Sequence, residues 1–270
     1  MFQTNYNPLR SLQPFIDRYW SFESDAENGI DLFPLLAGTG LDLLIHFAGP
    51  FQTEKEKLPS SHIFCPRQTI DITSKDKLNF IAIRFRCGAF RHFCPINFRE
   101  LNNRFLSVQD IWGKEGRELT EKLNNELSTD LRIDILDSFF LKQLEKHGKN
   151  NQLLDSSISY IYKHFEDVAI HALATNLNIS LRHFERLFKE EFGISPKRYQ
   201  RISRFQSALK ELLLSSDNDY MQAAIHNGYY DQSHFIKECK TLSGMPPLEL
   251  LRMKNKKQHF YFKKYTYSSF

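Results

Sequence analysis

Along the first hundred residues apolar and polar positions alternate in short runs, "LDLLIHFAG", "HIFCP", "TIDITS" and "NFIAIRFR", set apart by Gly, Pro and clusters of charge. A period of two sends successive side chains to opposite faces, so these runs predict strands. "SLQPFIDRYWSFE" fits either the start of a strand or a short helix. From about Phe98 the apolar spacing lengthens to three and four, in "FRELNNRFLSVQDIW", "GRELTEKLNNEL" and "DLRIDILDSFFLKQLEKH". Helices are expected to follow the sheet. The periodicity lapses at "HGKNNQ", residues 147 to 152, which marks a boundary between a first domain, 1–148, and a second, 152–252.

The second half reads as helical throughout. "LLDSSISYIYKHF" is amphipathic, with Ile158, Ile161, Tyr162 and Phe165 on one face. "DVAIHALATNLNISLRHFERLFKEEFG" reads as two helices broken at "NLN", with Ser180 placed to cap the second. Gly193 ends that helix, and Pro196 opens a long one through "KRYQRISRFQSALKELLL". After "SSDND" come "YMQAAIH" and "DQSHFIKECKTLS", separated by Gly228, with Asp231 as the cap of the second and Gly244, Pro246 and Pro247 as its end.

Two of these segments repeat. "SLRHFERLFKEEFGISP" and "DQSHFIKECKTLSGMPP" align without a gap at an offset of 51 residues, matching Phe184 to Phe235, Arg186 to Lys237, Lys189 to Lys240, Gly193 to Gly244 and Pro196 to Pro247. Upstream, Ala174 and Ala224 each sit in a short helix, where a small side chain lets a second helix cross closely, as in a helix-turn-helix. Two unrelated hairpins would not share five positions of such different chemistry. With Phe184, Leu187, Phe188, Phe235 and Ile236 given to packing, Arg182, Glu185, Arg186 and Lys189 remain outward in one copy, and Gln232, Ser233, His234 and Lys237 in the other. Arg pairs with guanine and Gln with adenine, so double-stranded DNA is the expected partner. The connecting helix from Pro196 to Leu214 should span roughly 28 Å, near the ~34 Å between successive major-groove faces. Lys197, Arg198, Arg201 and Arg204 along it are candidates for phosphate contacts.

Charge sharpens this division. Residues 1–150 carry 19 Lys and Arg against 20 Asp and Glu, whereas residues 151–270 carry 17 against 12, so the positive bias lies with the repeat. Residues 253–270, "MKNKKQHFYFKKYTYSSF", form a basic, aromatic tail that either adds phosphate contacts, stacks on the first domain or stays solvated. The apolar runs are too short to cross a bilayer and the N-terminus lacks a basic-then-apolar leader, so no membrane partner and a cytoplasmic location are expected.

Catalytic and metal readings find little support in the pattern. Cys87, His92 and Cys94 lie close together, but their spacing fits none of the usual zinc arrangements; Cys65, Cys87 and Cys94 are candidates for oxidant sensing beside Arg86 or Arg91, and buried thiols are the simpler reading for these cysteines. His46 lies inside an apolar strand and reads as a core or pocket histidine. Tyr19, Trp20 and Phe22 are candidate walls of a small-molecule pocket, or plain core. No phosphate-binding glycine loop or nucleophile elbow is present, so neither an enzyme nor a cofactor is expected.

The C-terminal half, about residues 155 to 252, resembles the paired helix-turn-helix domain of the AraC/XylS family of bacterial transcription regulators. The resemblance rests on "LATNLNISLRHFERLFKEEFGISPKRY" followed by Arg204 and Ala208, and on "AAIHNGYYDQSHFIKECK" followed by "GMPP". Cys239 departs from the family pattern, which places an aromatic there. "LQPFIDRYWSFE", "FPLLAGTGLDLLIHFAG", "IAIRFRCGAF" and "LSVQDIWG" make the first half similar to the N-terminal domain of a subset of these proteins, with Cys87 where Pro usually precedes the glycine. The resemblance implies an α+β protein: a strand-rich, barrel- or cupin-like sensing or dimerising domain followed by helices, then an all-α domain of two helix-turn-helix units joined by a long helix. It implies a sequence-specific regulator and leaves open RNA polymerase contact, a small-molecule effector and a homodimer. The rival readings are an enzymatic first domain and a protein-interaction module.

Overall fold

The computed structural model describes residues 2–24, 30–31, 34–74, 76–149, 151–214 and 220–253. The alternating segments form β1 (Phe2–Tyr6), β2 (Ile16–Ser24), β3 (Ile30–Asp31), β4 (Leu41–Ala48), β5 (Ser61–Phe64), β6 (Thr73–Ser74), β7 (Leu78–Phe85) and β8 (Phe105–Ser107). Six of these make one antiparallel sheet in the order β1, β2, β7, β4, β5, β8, while β3 and β6 pair as a small ribbon. The first helices are α1 (Phe98–Leu101), α2 (Val108–Asn125) and α3 (Thr129–His147).

Both faces of the sheet are buried, which the two-residue period of its strands makes easy to trace. Leu41, Leu43 and Ile45 of β4 join Ile81, Ile83 and Phe85 of β7 in a core closed by Trp112 of α2 and Phe140 of α3. Leu44, Phe80 and Ala82 point the other way, with Trp20 and Phe22, into an aromatic core roofed by Leu35, Phe51, Leu58 and Ile72 from the loops. The expected α+β class holds. Its barrel-like element takes the form of an open sheet, with β1 and β8 at the edges among the described residues.

Three segments differ from the periodicity reading. "SLQPFIDRYWSFE" divides into a turn before Ile16 and the strand β2. "TIDITS" contributes one bridge at Ile70 and the two residues of β6. "FRELNNRFLSVQDIW", expected to be helical, breaks after one turn. Asn103 adopts a left-handed φ of 54°, its side chain accepts from the Arg67 and Gln68 amides at 2.7 and 3.1 Å, and the chain then pairs with β5 as β8. Asparagine turn chemistry thus overrides a three-and-four spacing. Ser107 and Asp110 cap α2 reciprocally immediately afterwards.

Past Gly148, which closes α3, the chain is helical: α4 (Gln152–Lys163), α5 (Ile170–Asn176), α6 (Leu181–Phe192), α7 (Pro196–Leu214), α8 (Tyr220–His226), α9 (Gln232–Ser243) and α10 (Pro247–Met253). One continuous core runs from Leu154 and Ile158 through Phe184, Phe188, Tyr199 and Phe205 to Phe235 and Leu242. Leu36 and Ala37 of the first half belong to this same core, so the two halves are packed against each other. The basic tail beyond Met253 lies outside the described residues.

Candidate nucleic-acid interface

The repeat seen in the sequence is reproduced bond by bond. In the first unit, α5 turns into α6 through Asn178, whose φ is 55°, and the Ile179 amide donates back to the Ala174 carbonyl at 3.1 Å. In the second, α8 turns into α9 through Gly228, φ 74°, and the Tyr229 amide donates to the Ala224 carbonyl at 3.1 Å. Ala174 and Ala224 are both buried, as close crossing of the two helices requires. The Ser180 side chain accepts from the His183 amide and Asp231 from the His234 amide, filling the same capping role. At the far ends, Gly193 and Gly244 take left-handed φ values of 77° and 79°, and each donates to a lysine carbonyl at 3.0 Å, Lys189 and Lys240.

The side chains left outside these bonds are the ones proposed to read DNA. Arg182, Glu185, Arg186 and Lys189 are exposed on α6; Ser233, His234 and Lys237 are exposed and Gln232 half-buried on α9. Arg186 rests on Glu190 one turn away at 3.1 Å, an exposed pair that costs little to open. The His234 ring stands edge-on to Tyr229 at 5.3 Å.

The bases of the linking helix divide differently from the sequence reading. Lys197 is exposed at the start of α7. Arg204, expected at phosphate, is half-buried and donates to the carbonyls of Phe165 and Glu166 at 3.3 and 3.4 Å, with its guanidinium 5.6 Å from the Tyr229 ring. Arg201 makes a forked pair with Glu238 of α9 at 2.7 to 3.2 Å, and Glu238 is 6% exposed. The Glu238 carboxylate is buried while the Arg201 side chain is 46% exposed, so the guanidinium covers a carboxylate that would otherwise lack a cation. Through this pair Arg201 helps fix the second unit on α7. Arg198 is turned the other way and donates to the Arg67 carbonyl at 3.2 Å.

In the first half, Tyr19 does not join Trp20 and Phe22: its hydroxyl donates to Asp137 of α3 at 2.7 Å on the helix side of the sheet. Trp20 lines a cavity of about 20 Å³ with Leu35, Leu44, Phe51, Phe64 and His62. The His46 and His62 rings stack beside it, 5.4 Å apart. Burial pulls both imidazoles down, to about 3 for His46, which its neighbour His62 lowers further, and about 4 for His62. His62 Nδ1 lies 2.7 Å from the Pro59 carbonyl. Cys94 accepts from the Ile96 amide at 3.3 Å, and burial pushes its thiol up to about 11; Cys87 lies 3.5 Å from the Thr39 hydroxyl. His92 Nε2 is 3.3 Å from Asp155, so the three residues weighed as soft ligands each have separate local partners.

Contacts between the halves carried no signal in the sequence. Arg91, 2% exposed, reaches Asp155 of α4 at 2.7 Å and Glu191 of α6 at 3.1 Å. Asn102 donates to the Gly193 carbonyl at 2.9 Å, Arg67 to the Phe192 carbonyl at 3.4 Å, and the Thr69 hydroxyl to the Leu242 carbonyl at 2.7 Å. A main-chain acceptor leaves no trace in composition or spacing.

Two capped, glycine-terminated recognition helices on one linking helix define a protein of the double helix-turn-helix class. Residues 173–253 match a family described as a helix-turn-helix domain, and residues 4–107 match a domain of unknown function, DUF6597. Residues 173–253 thus carry an AraC-type helix-turn-helix domain, joined to a distinct N-terminal domain. It is similar to the HTH-type transcriptional activator RhaS of Salmonella schwarzengrund, 31% identical over 93 residues, covering 34% of this chain and 33% of that one. RhaS of Escherichia fergusonii is 28% identical over 137 residues, 50% of this chain and 48% of that protein. The chain thus matches between a third and a half of the length of these relatives. Among solved structures, ToxT from Vibrio cholerae shares the fold over 87% of this chain and 98% of its own, with a TM-score of 0.51 at 14% identity. A further ToxT structure, with a TM-score of 0.50 at 11% identity, covers 87% of this chain and 99% of its own and holds (E)-4-(8-methylnaphthalen-1-yl)but-3-enoic acid.

Proposed function

We propose that this protein is a sequence-specific DNA-binding transcription regulator acting in the cytoplasm, whose α6 and α9 enter successive major-groove segments on one side of the duplex. The observation that carries this reading is the pair of equivalent helices with Arg182, Glu185, Arg186 and Lys189 outward on one and Gln232, Ser233, His234 and Lys237 on the other. Residues 1–148 act as the sensing or self-association domain and residues 152–252 as the reader. Lys197 supplies a phosphate contact; Arg204 acts from behind, tying the carbonyls at 165–166 to α7 beside Tyr229.

The aromatic cavity beside Trp20 and His62 is the place for a small-molecule effector, which enters once the loops that roof it yield. ToxT holding a naphthyl acid supports a small-molecule effector in general, and a cavity of about 20 Å³, room for about one water, must open to admit one. Regulation rather than catalysis accounts for the family, and contacts with RNA polymerase or a second copy belong to the same proposal.

The test is binding to operator DNA selected from a random pool. Arg186→Ala and Lys237→Ala should each weaken binding by ~1–3 kcal/mol and relax preference at one base position, if each contacts a base. Affinity should also fall steeply with salt, with a log-log slope of about −0.9 per phosphate neutralised. Unchanged affinity and preference in both variants would overturn the assignment of the reading faces, and a flat salt response would favour a protein-interaction module instead.

A further inference from the structure

The reading faces of α6 and α9 are open, yet the opposite ends of both helices are held by a single loop of the N-terminal half. Between β5 and the Ile70 bridge the chain runs through Pro66, Arg67, Gln68 and Thr69. Arg67, 3% exposed, donates to the carbonyl of Phe192, the last residue of α6. Two residues on, the Thr69 hydroxyl donates to the carbonyl of Leu242 in the last turn of α9. The last carbonyls of a helix have no partner within it and carry its negative end, so a guanidinium and a hydroxyl suit them.

The loop is itself held firmly. The Arg67 amide donates to Asn103 at 2.7 Å, its Nε donates to Asn102 at 3.2 Å, and its carbonyl accepts from Arg198 of α7 at 3.2 Å. Asn102 in turn donates to the Gly193 carbonyl, giving α6 a second hold, and Arg91 gives a third through Glu191. At α9 the hold from this loop is the Thr69 bond.

We propose that residues 66–69 form a strap that sets the distance and rotation between the two recognition helices, and hence the spacing of half-sites the protein accepts. Arg67 and Thr69 are positioning residues for DNA recognition although neither lies on a reading face. This rests on the DNA-reading function proposed above. One added base pair shifts the second half-site by about 3.4 Å and turns it by about 35°, which a pair of helices held at both far ends cannot follow. Without the Thr69 bond the second unit is held by the Arg201–Glu238 pair and the shared core, so its rotation against α6 is less tightly set.

The experiment selects the full chain's preferred DNA from a random pool, then measures affinity for that site with its spacer shortened or lengthened by one base pair. The unaltered protein should prefer its own spacer by about tenfold or more, the discrimination of one or two mismatched positions. Thr69→Val, which keeps the shape and removes the donor, should reduce that ratio to about threefold or less, while Thr69→Ser restores it. A merely destabilised protein loses affinity for all spacers alike and keeps the ratio. The same ratio in Thr69→Val as in the unaltered chain, or a failure of Thr69→Ser to restore it, overturns the strap while leaving DNA reading intact. If the unaltered chain enriches no sequence from the pool, the DNA-reading function falls and the strap falls with it.

Discussion

Gly193 and Gly244 offer a matched pair for measuring how strongly the two halves grip each other. Both close a recognition helix, at φ 77° and 79°, and both donate to a lysine carbonyl at 3.0 Å. Changing either to Ala places a Cβ in the left-handed region, costing about 1–2 kcal/mol, which the stiffer unfolded chain offsets by about 0.4–1 kcal/mol. For Gly244 nothing lies within 4 Å of the added carbon, so Gly244→Ala should lose about 1 kcal/mol. At Gly193 the new Cβ would stand 2.5 Å from Asn102 Nδ2 and 2.9 Å from its Oδ1. Asn102 must then swing away, breaking its bond to the Gly193 carbonyl and its bond from Arg67. Each broken bond adds about 0.5–1.5 kcal/mol, bringing Gly193→Ala to about 2–4 kcal/mol. Equilibrium urea denaturation followed by far-ultraviolet circular dichroism would measure both. Losses equal to within about 0.5 kcal/mol would refute the view that Asn102 couples the halves.

The buried imidazoles give a pH signature. His46 and His62 sit near 3 and 4 when folded, below the ordinary 6.5, so the unfolded chain takes up their protons first. Their contribution is intact above pH 6.5 and is lost as pH falls towards 4 and below; His62→Phe should flatten the decline in urea midpoint over that window, and an unchanged profile would show that His62 is not responsible. Arg91→Met leaves Asp155 and Glu191 without their buried cation, but these carboxylates are 38% and 25% exposed. The loss should therefore be about 2–3 kcal/mol, below the 3–5 kcal/mol of a fully buried pair, and a denaturation loss under about 0.5 kcal/mol would refute the structural weight given to Arg91.

The parts legible in the sequence are those written in local chemistry. Ser180, Asp231, Gly193 and Gly244 mark helix ends because capping and left-handed turns each demand particular residue types. The repeat followed from them, since its matched positions also fix matched bonds. Charge was a poorer guide. Arg198, Arg201 and Arg204 share a helix with Lys197, yet their partners are the Arg67 carbonyl, Glu238 and the carbonyls at 165–166. β8 was hidden because Asn102 and Asn103 lie inside a run of helical spacing and act through bonds to a loop more than thirty residues earlier. Tyr19 and Trp20 show a similar limit: adjacent in sequence, they belong to opposite cores, and only the sheet's pairing reveals which faces which.

The hold on the recognition helices reaches their carbonyls at Phe192, Gly193 and Leu242, atoms every amino acid supplies alike. Substitutions at Arg182, Glu185, Gln232 or Ser233 leave those oxygens where they are. On the proposed function, a descendant of this protein is thus free to rewrite its DNA specificity one outward side chain at a time while inheriting its link to the N-terminal half unchanged.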